Sequence, residues 1–355
     1  MTAMEAPAGG ASTRFETRAM GSRLRLIVGG EASRAPAADR HWRTVVDEFE
    51  LAEAAMSRFR DTSELTGLNR TAGSGTVVDP SARLRRALTV ADRANRITGG
   101  RFDPRVLADL DRLGYRGADL GGAGDPDPAW DRDGGADQAR DRDLDRGVGA
   151  DPGRADERRS RDAVVERVGR DGVTVARPID LGGLGKGLTL RWAAARLDRL
   201  GARDLLLEAG GDLVARGLDP DGVPWQLGVE DPAGGEDLAV IAVSDLAVAT
   251  SSVQVHRWSI DGRTVHHLLD PRTGEPADGG LLAVTVVGPD PAWAEVWSKV
   301  LFVGGRDAIA AEARSRGMAA WWVTDDGTLE MTAAARARTI WVAAEAGQEP
   351  PGVPR

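Results

Sequence analysis

Apolar positions recur along the chain with two periods, and the longer one, of three to four residues, predicts five helices. In the first helix, Val45, Phe49 and Met56 share one face. Ser81 is a suitable N-cap for the second helix, and Gly99 is a suitable stop. The predicted helices cover 41–59, 81–98, a stretch that follows 179–187 and ends at 200, 292–303 and 307–315.

The shorter period, of two residues, and short apolar runs predict strands. An opening strand is expected over 14–28, and a hairpin over 163–176 around the turn Arg170-Asp171-Gly172. Further strands are expected at 205–207, 225–229, 238–243, 265–269, 282–287, 319–324 and 339–343, the segments 319–324 and 339–343 closing a sheet. Long helices among antiparallel hairpins predict the α+β class, with mixed or antiparallel sheets and packed helices in a single domain.

One segment interrupts this pattern. Residues 117–161 contain twelve acidic residues, eight arginines and almost no large apolar side chains. Such a composition cannot bury enough surface to offset the entropy of ordering, so a disordered insert is expected. The motifs on its two sides resemble parts of one site, which favours a single domain over 14–343. A flexible tail is expected over 344–355.

Composition limits the possible function. The formal net charge is −9, which disfavours nucleic acid or an anionic membrane as a main partner. The chain has no cysteine, so thiol nucleophiles, thiolate metal sites and a lipobox anchor are excluded. No apolar run has the length of a signal peptide or a membrane span, and a cytoplasmic protein is therefore expected.

The basic residues are unusual, because 46 residues are lysine or arginine and only Lys186 and Lys299 are lysines. A lysine is a compact charge on a thin stem, whereas arginine is a wide planar fork. A retained lysine therefore indicates a site too narrow for arginine, although two surface lysines would give the same count. Position decides between these readings for Lys186.

Lys186 lies in the segment Ile179-Asp180-Leu181-Gly182-Gly183-Leu184-Gly185-Lys186-Gly187. A strand end delivers a carboxylate, glycines let backbone amides approach a ligand, and a helix N-terminus follows, as a phosphate or diphosphate site requires. The spacing matches neither a P-loop nor G-x-G-x-x-G. An ordinary structural turn would have the same glycines, and the retained lysine favours a ligand site.

Two further segments carry candidate chemistry. Glu208-Ala209-Gly210-Gly211-Asp212 follows a strand and is also typical of a bulge or hairpin turn. His266 and His267 precede the turn Asp270-Pro271-Arg272-Thr273-Gly274. Adjacent histidines of a strand face opposite sides, so only one can enter a given pocket, and each is also compatible with a structural role. Neither has the partners of a zinc site.

In order along the chain, these and other motifs resemble the ApbE family of FAD:protein FMN transferases. The resemblance runs from Met20 to about Val342, and its strongest element is the similarity of 179–187 to the family signature Asp-Leu-Gly-Gly-Ile-Ala-Lys-Gly. The other matching segments are Met20-Gly21-Ser22, Ser57-Arg58-Phe59 with Ser63 to Asn69, Gly100-Arg101-Phe102-Asp103-Pro104, Ala209 to Asp212, Thr250-Ser251-Ser252, His267 to Gly274 and Ala294 to Phe302.

The resemblance implies that FAD binds in a central groove and that FMN is transferred to a Ser or Thr hydroxyl of an acceptor protein. For such a transfer, Lys186 can balance the charge of the diphosphate and His267 is the candidate that positions or deprotonates the hydroxyl, with Asp180 and Asp270 as competitors for that role. The implied FAD contacts are Met20, Phe59, Arg101, Phe102, Asp103, Asp180, Lys186 and His267. Hydrolysis of FAD to FMN and AMP, and binding of FAD without catalysis, are the alternative functions.

The resemblance also implies a magnesium ion at the diphosphate, held by the carbonyls of Gly183 and Ala292 and by positions 295 and 299. Here the family's Asp and Thr are replaced by Glu295 and Lys299. A protonated lysine has no lone pair and cannot bind a cation. We therefore expect Lys299, one helical turn from Glu295 and able to pair with it, to take over part of the ion's role. The alternative is that Lys299 turns to solvent and that Glu295 and the backbone carbonyls still bind magnesium. Phe59 stands where the family often has Tyr.

Overall fold

A computed structural model describes residues 11–115, 163–260 and 262–343 of the 355-residue chain. The predicted insert 117–161 and the predicted tail 344–355 lie outside the described residues. The helices are α1 Ala37–Met56, α2 Glu64–Arg70, α3 Ala82–Ile97, α4 Leu107–Arg112, α5 Gly185–Arg199, α6 Pro291–Gly304, α7 Arg306–Ser315 and α8 Ala333–Arg336, with short 3-10 helices at Gly30–Ser33 and Pro104–Val106.

The strands include the numbered segments predicted above and several that the pattern did not reveal. They are β1 Ser12–Ala19, β2 Ser22–Gly29, β3 Glu166–Val168, β4 Gly172–Thr174, β5 Leu205–Ala209, β6 Asp212–Arg216, β7 Trp225–Val229, β8 Ala239–Val243, β9 Ala247–Ser252, β10 Arg257–Ile260, β11 Arg263–His266, β12 Leu269–Asp270, β13 Glu275–Pro276, β14 Leu281–Gly288, β15 Ala319–Thr324, β16 Leu329–Met331 and β17 Thr339–Val342. The strand end expected at Ile179 and Asp180 was wrong, because those residues lie in an irregular segment between Thr174 and Gly185.

The main sheet has eight strands in the order β1-β2-β5-β6-β9-β14-β15-β16, and a second sheet has the order β17-β8-β7. Neighbouring strands of both sheets pair antiparallel. The predicted α+β class is therefore confirmed, and among the described strands no parallel pair occurs.

Alternation along the strands explains the layers. Leu205 and Leu207 on β5 pack with α1 and α5 in one core, whereas Leu206, between them, packs toward the three-stranded sheet in another. A third core joins α2, α3, α6 and α7 to β14. Helices thus cover one face of the main sheet, and the small sheet covers the other.

Three further strand predictions were wrong in detail. The segment 14–28 is a hairpin, because Met20 and Gly21 both have positive φ angles (50° and 68°) and form a two-residue turn between Ala19 and Ser22. The segment 265–269 is split between β11 and β12. The segments 319–324 and 339–343 belong to different sheets, so they do not close one sheet.

The helix predictions were closer, since helix ends are set by local residues. Ser81 caps α3 by accepting a hydrogen bond from the Leu84 amide, as predicted. Gly201, with a φ of 87°, follows the end of α5. None of the helices in the described part of the chain is both long and apolar enough to span a membrane.

Candidate functional site

The glycine-rich turn places an open helix N-terminus beside the main sheet. Asp180 accepts a hydrogen bond from the Gly182 amide at 2.7 Å, which tightens the turn before α5. The N-cap residue of α5, Leu184, supplies no side-chain cap, and no acidic residue lies in the first turn. The positive end of this helix therefore has no carboxylate of its own to neutralise it.

Gly187 allows α5 and α6 to approach each other closely. A Cβ atom at this position would lie 2.6 Å from the Pro291 carbonyl oxygen and 2.7 Å from the Ala292 Cα. The Gly187 amide donates to Oε2 of Glu295 at 2.8 Å, and Glu295 is 1% exposed. Any side chain at 187 would push α6 away and disturb this bond.

The paired glycines at 210 and 211 form a hairpin turn between β5 and β6, which was one of the two structural alternatives predicted for that segment. The turn presents Asp212 to the ammonium group of Lys186, and the two form an ion pair. A Cβ atom at Gly210 would lie 2.7 Å from that of Ser22, so this turn touches the turn at Met20. Burial alone would lower the pKa of Lys186, but the charges of Asp212 and Glu295 raise it.

Lys299 reaches the same turn from α6. Its Cδ and Cε atoms lie 3.1 Å from the place that a Cβ of Gly183 would occupy, and a Phe102 ring carbon lies 3.2 Å from the same place. Its Nζ is 3.6 Å from Oε1 of Glu295, which confirms the predicted ion pair across one helical turn. Burial raises the pKa of Glu295, against the opposing charge of Lys299.

The residues at 295 and 299 do not suit a magnesium ion. The buried carboxylate of Glu295 has Oε2 bonded to an amide and Oε1 facing the Lys299 ammonium. Within the described residues, no group of three or more His, Asp or Glu side chains could hold a metal ion. Like charges repel at this range, so the ammonium disfavours a cation at Oε1.

Aromatic rings gather beside the two lysines. Tyr115 stacks with Trp258 at 5.2 Å between ring centroids and with His267 at 6.2 Å, and the His256 ring lies 5.0 Å from that of His267. Phe59 contacts Tyr115 edge-on and is 56% exposed. The rings therefore form a partly open aromatic wall next to the charged groups of Lys186 and Lys299.

His267 faces this wall, whereas its neighbour His266 packs on Phe302, as strand alternation predicted. Burial lowers the pKa of His267 well below its ordinary value, and the positive charges of His256 and Lys299 add to this effect. These surroundings therefore favour the neutral form of His267. Its Nδ1 lies 3.4 Å from the His256 carbonyl oxygen.

Both carboxylate oxygens of Asp180 have partners within the protein. Its Oδ2 lies 2.8 Å from Nε of Arg58, whose guanidinium also lies over the rings of Phe59 and Tyr115. Burial raises the pKa of Asp180, and the charge of Arg58 opposes that shift. Asp180 thus links the glycine-rich turn to the aromatic wall.

The remaining predicted contacts lie around this centre. Met20 donates its amide to Glu53 at 2.8 Å, and its sulfur contacts Thr189 of α5. Phe102 is buried behind Gly183, and the Asp180 amide donates to the Pro104 carbonyl. The side chains of the other two predicted contacts are held in ion pairs, Arg101 with Glu312 and Asp103 with Arg105.

Sequence reasoning did not single out four residues of this centre: Arg58, Tyr115, Asp212 and His256. Asp212 could have been found, because a buried lysine at a glycine-rich turn needs a carboxylate and a Gly-Gly-Asp motif was available. Tyr115 is the only tyrosine of the chain. Nothing in the sequence indicates that it meets His256.

The profile of the ApbE family matches residues 20–322. The FAD:protein FMN transferase of Haemophilus influenzae is 27% identical over 79% of this chain and 78% of its own length. The FAD:protein FMN transferase of Treponema pallidum is 28% identical over 82% of this chain and 81% of its own length. The Escherichia coli K12 enzyme of the same name is 29% identical, but the match spans only 43% of its length and 42% of this chain.

Solved structures agree in fold. The ApbE protein of Thermotoga maritima superposes with a TM-score of 0.72 at 23% identity, covering 92% of this chain and 99% of that one. The flavinyl transferase ApbE of Pseudomonas stutzeri superposes with a TM-score of 0.71 at 23% identity, and the match covers 94% of this chain and 98% of that one. Since the family profile covers most of the sequence, the chain belongs to the ApbE family.

Proposed function

We propose that this chain is an FAD:protein FMN transferase, which moves the FMN half of FAD onto a Ser or Thr hydroxyl of an acceptor protein and releases AMP. The observation that carries the proposal is the position of Lys186 and Lys299 at the N-terminus of α5, beside an aromatic wall. A diphosphate fits the first feature and a flavin ring fits the second. Relatives named FAD:protein FMN transferase support the same activity.

To catalyse this transfer, the protein must position the acceptor hydroxyl and balance the negative charge of the FAD diphosphate. The acceptor oxygen forms a bond to the phosphorus on the riboflavin side, and the bond between that phosphorus and the bridging oxygen breaks as AMP leaves. Lys186 and the amides of the glycine-rich turn would balance the charge of the diphosphate. His267, at the aromatic wall, would position the hydroxyl or take its proton.

Asp180 would position other groups of the site and would not contact the reacting atoms. It fixes Gly182 and Arg58, and so holds the turn against the aromatic wall. Phe59, half exposed, offers a stacking surface for the flavin ring. The FAD-binding set of the proposal is Met20, Phe59, Arg101, Phe102, Asp103, Asp180, Lys186 and His267.

The test is incubation of purified protein with FAD, with and without a peptide that carries a Thr or Ser acceptor of the family type. AMP is measured by chromatography, and the peptide by mass spectrometry. If the protein is a transferase, the wild type gives AMP together with an FMN-modified peptide. His267→Gln should still bind FAD but form both products more slowly than the wild type. AMP without peptide at an equal rate would show hydrolysis, and unchanged FAD in both reactions would show binding alone.

A further inference from the structure

We infer that Lys186 and Lys299 form a two-ammonium clamp for the FAD diphosphate, so that FAD binding needs no divalent cation. This inference rests on the proposed function. It extends that function, because it assigns the positive charge of the site to two side chains.

The first argument is convergence. The two lysines of the chain are far apart in sequence, yet one begins α5 and the other reaches Gly183 from α6. Their side chains are 25% and 21% exposed, so each ammonium can be reached by a ligand while its stem is packed. Two lysines retained by chance among 44 arginines would have no reason to meet at one turn.

The second argument is the room available. A Cβ atom at Gly183 would lie 3.1 Å from the Lys299 stem and 3.2 Å from a Phe102 ring carbon, so the lysine side chain packs closely against the Gly183 backbone. An unbranched stem with a compact ammonium suits such close packing, whereas arginine would bring a wide planar guanidinium to the same place. The close packing accounts for lysine at 299 in a chain that otherwise uses arginine.

The third argument is the role of Glu295. Its buried carboxylate bonds the Gly187 amide with one oxygen and faces Lys299 with the other. The acid therefore orients the ammonium as a metal ligand would orient an ion. The pKa of His256 is lowered to about 4, chiefly by burial and further by the charges of Lys186 and Lys299.

The experiment measures FAD binding by titration calorimetry in buffer with a chelator and in buffer with magnesium. We expect the wild-type dissociation constants to agree within about twofold. Lys299→Met keeps the unbranched stem and removes the charge. Loss of a charge-assisted hydrogen bond should then weaken FAD binding roughly 10- to 100-fold in both buffers. Arg314→Met, which removes a charge from the exposed face of α7, is the matched control and should bind FAD as the wild type does.

Lys299→Thr restores the family residue. It should bind FAD weakly with chelator and regain affinity with magnesium, which Lys299→Met should not. Wild-type binding that disappears with chelator and returns with magnesium would overturn the clamp while the proposed function stands. Absence of FAD binding in both buffers would overturn the proposed function and the clamp with it.

Discussion

Replacing Gly187 by alanine would add one methyl group between the helices that carry Lys186 and Lys299. The new Cβ would lie 2.6 Å from the Pro291 carbonyl oxygen, at least 0.8 Å short of an ordinary contact of 3.4 Å. Both neighbouring atoms belong to the backbone, so α5 and α6 must separate. Overpacking of this kind costs about 1–3 kcal/mol.

The same movement stretches the hydrogen bond from the Gly187 amide to Glu295, which is worth about 1.5–3 kcal/mol as a bond to a charged group. Alanine returns about 1 kcal/mol through its better helix propensity. We therefore expect a net loss of about 2–4 kcal/mol in the free energy of unfolding, which lowers the melting temperature by roughly 5–10 °C. FAD binding should also weaken, because the two ammonium groups move apart.

Gly185→Ala is the matched control within α5, since a Cβ at Gly185 meets nothing within 4 Å. Helix propensity alone should raise its melting temperature by about 1–3 °C. Thermal unfolding followed by circular dichroism compares the two variants with the wild type. The reasoning would be refuted if Gly187→Ala melted within about 2 °C of Gly185→Ala.

Lys186→Arg keeps the charge but widens the head, so calorimetry should show FAD binding weakened at least tenfold with the melting temperature retained; unchanged binding would make Lys186 an ordinary surface lysine. FAD should bind more tightly than FMN or NAD in competition titrations, and equal affinity for FAD and FMN would argue against recognition of the AMP half. Burial lowers the pKa of His266 to about 4 from 6.5, so below pH 6.5 the unfolded chain takes up a proton that the folded chain refuses. Wild-type stability should therefore fall between pH 6.5 and 4 relative to His266→Gln, and parallel melting curves would contradict this. Replacing 117–161 by a short flexible linker should leave melting temperature and FAD binding nearly unchanged, whereas failure to fold would reveal an ordered subdomain.

The sequence predicted elements whose signals are local. Ser81, with its side-chain oxygen, and Gly201, with its positive φ, mark helix ends through their own chemistry. The Glu295–Lys299 pair was also predictable, because residues one helical turn apart share a face. The turn at Met20 was not, since methionine rarely adopts a positive φ and the strand pattern continues through it.

The candidate site was predictable only in part for the same reason. The glycine-rich turn is continuous in sequence, so its role could be inferred from its residues. The contact of Tyr115 with His256 joins residues far apart in sequence, and no periodicity connects them. Likewise, the burial of Phe102 behind Gly183 depends on the packing of α6, which no local pattern specifies.

The scarcity of lysine has a consequence for chemical labelling. Apart from the α-amino group, Lys186 and Lys299 carry the only primary amines of the chain. Besides the α-amino group, an amine-reactive ester can therefore modify only the candidate site, and a bound ligand should lower the labelling of these two lysines. Immobilisation or dye coupling through lysine would block this protein, although both procedures leave most proteins active.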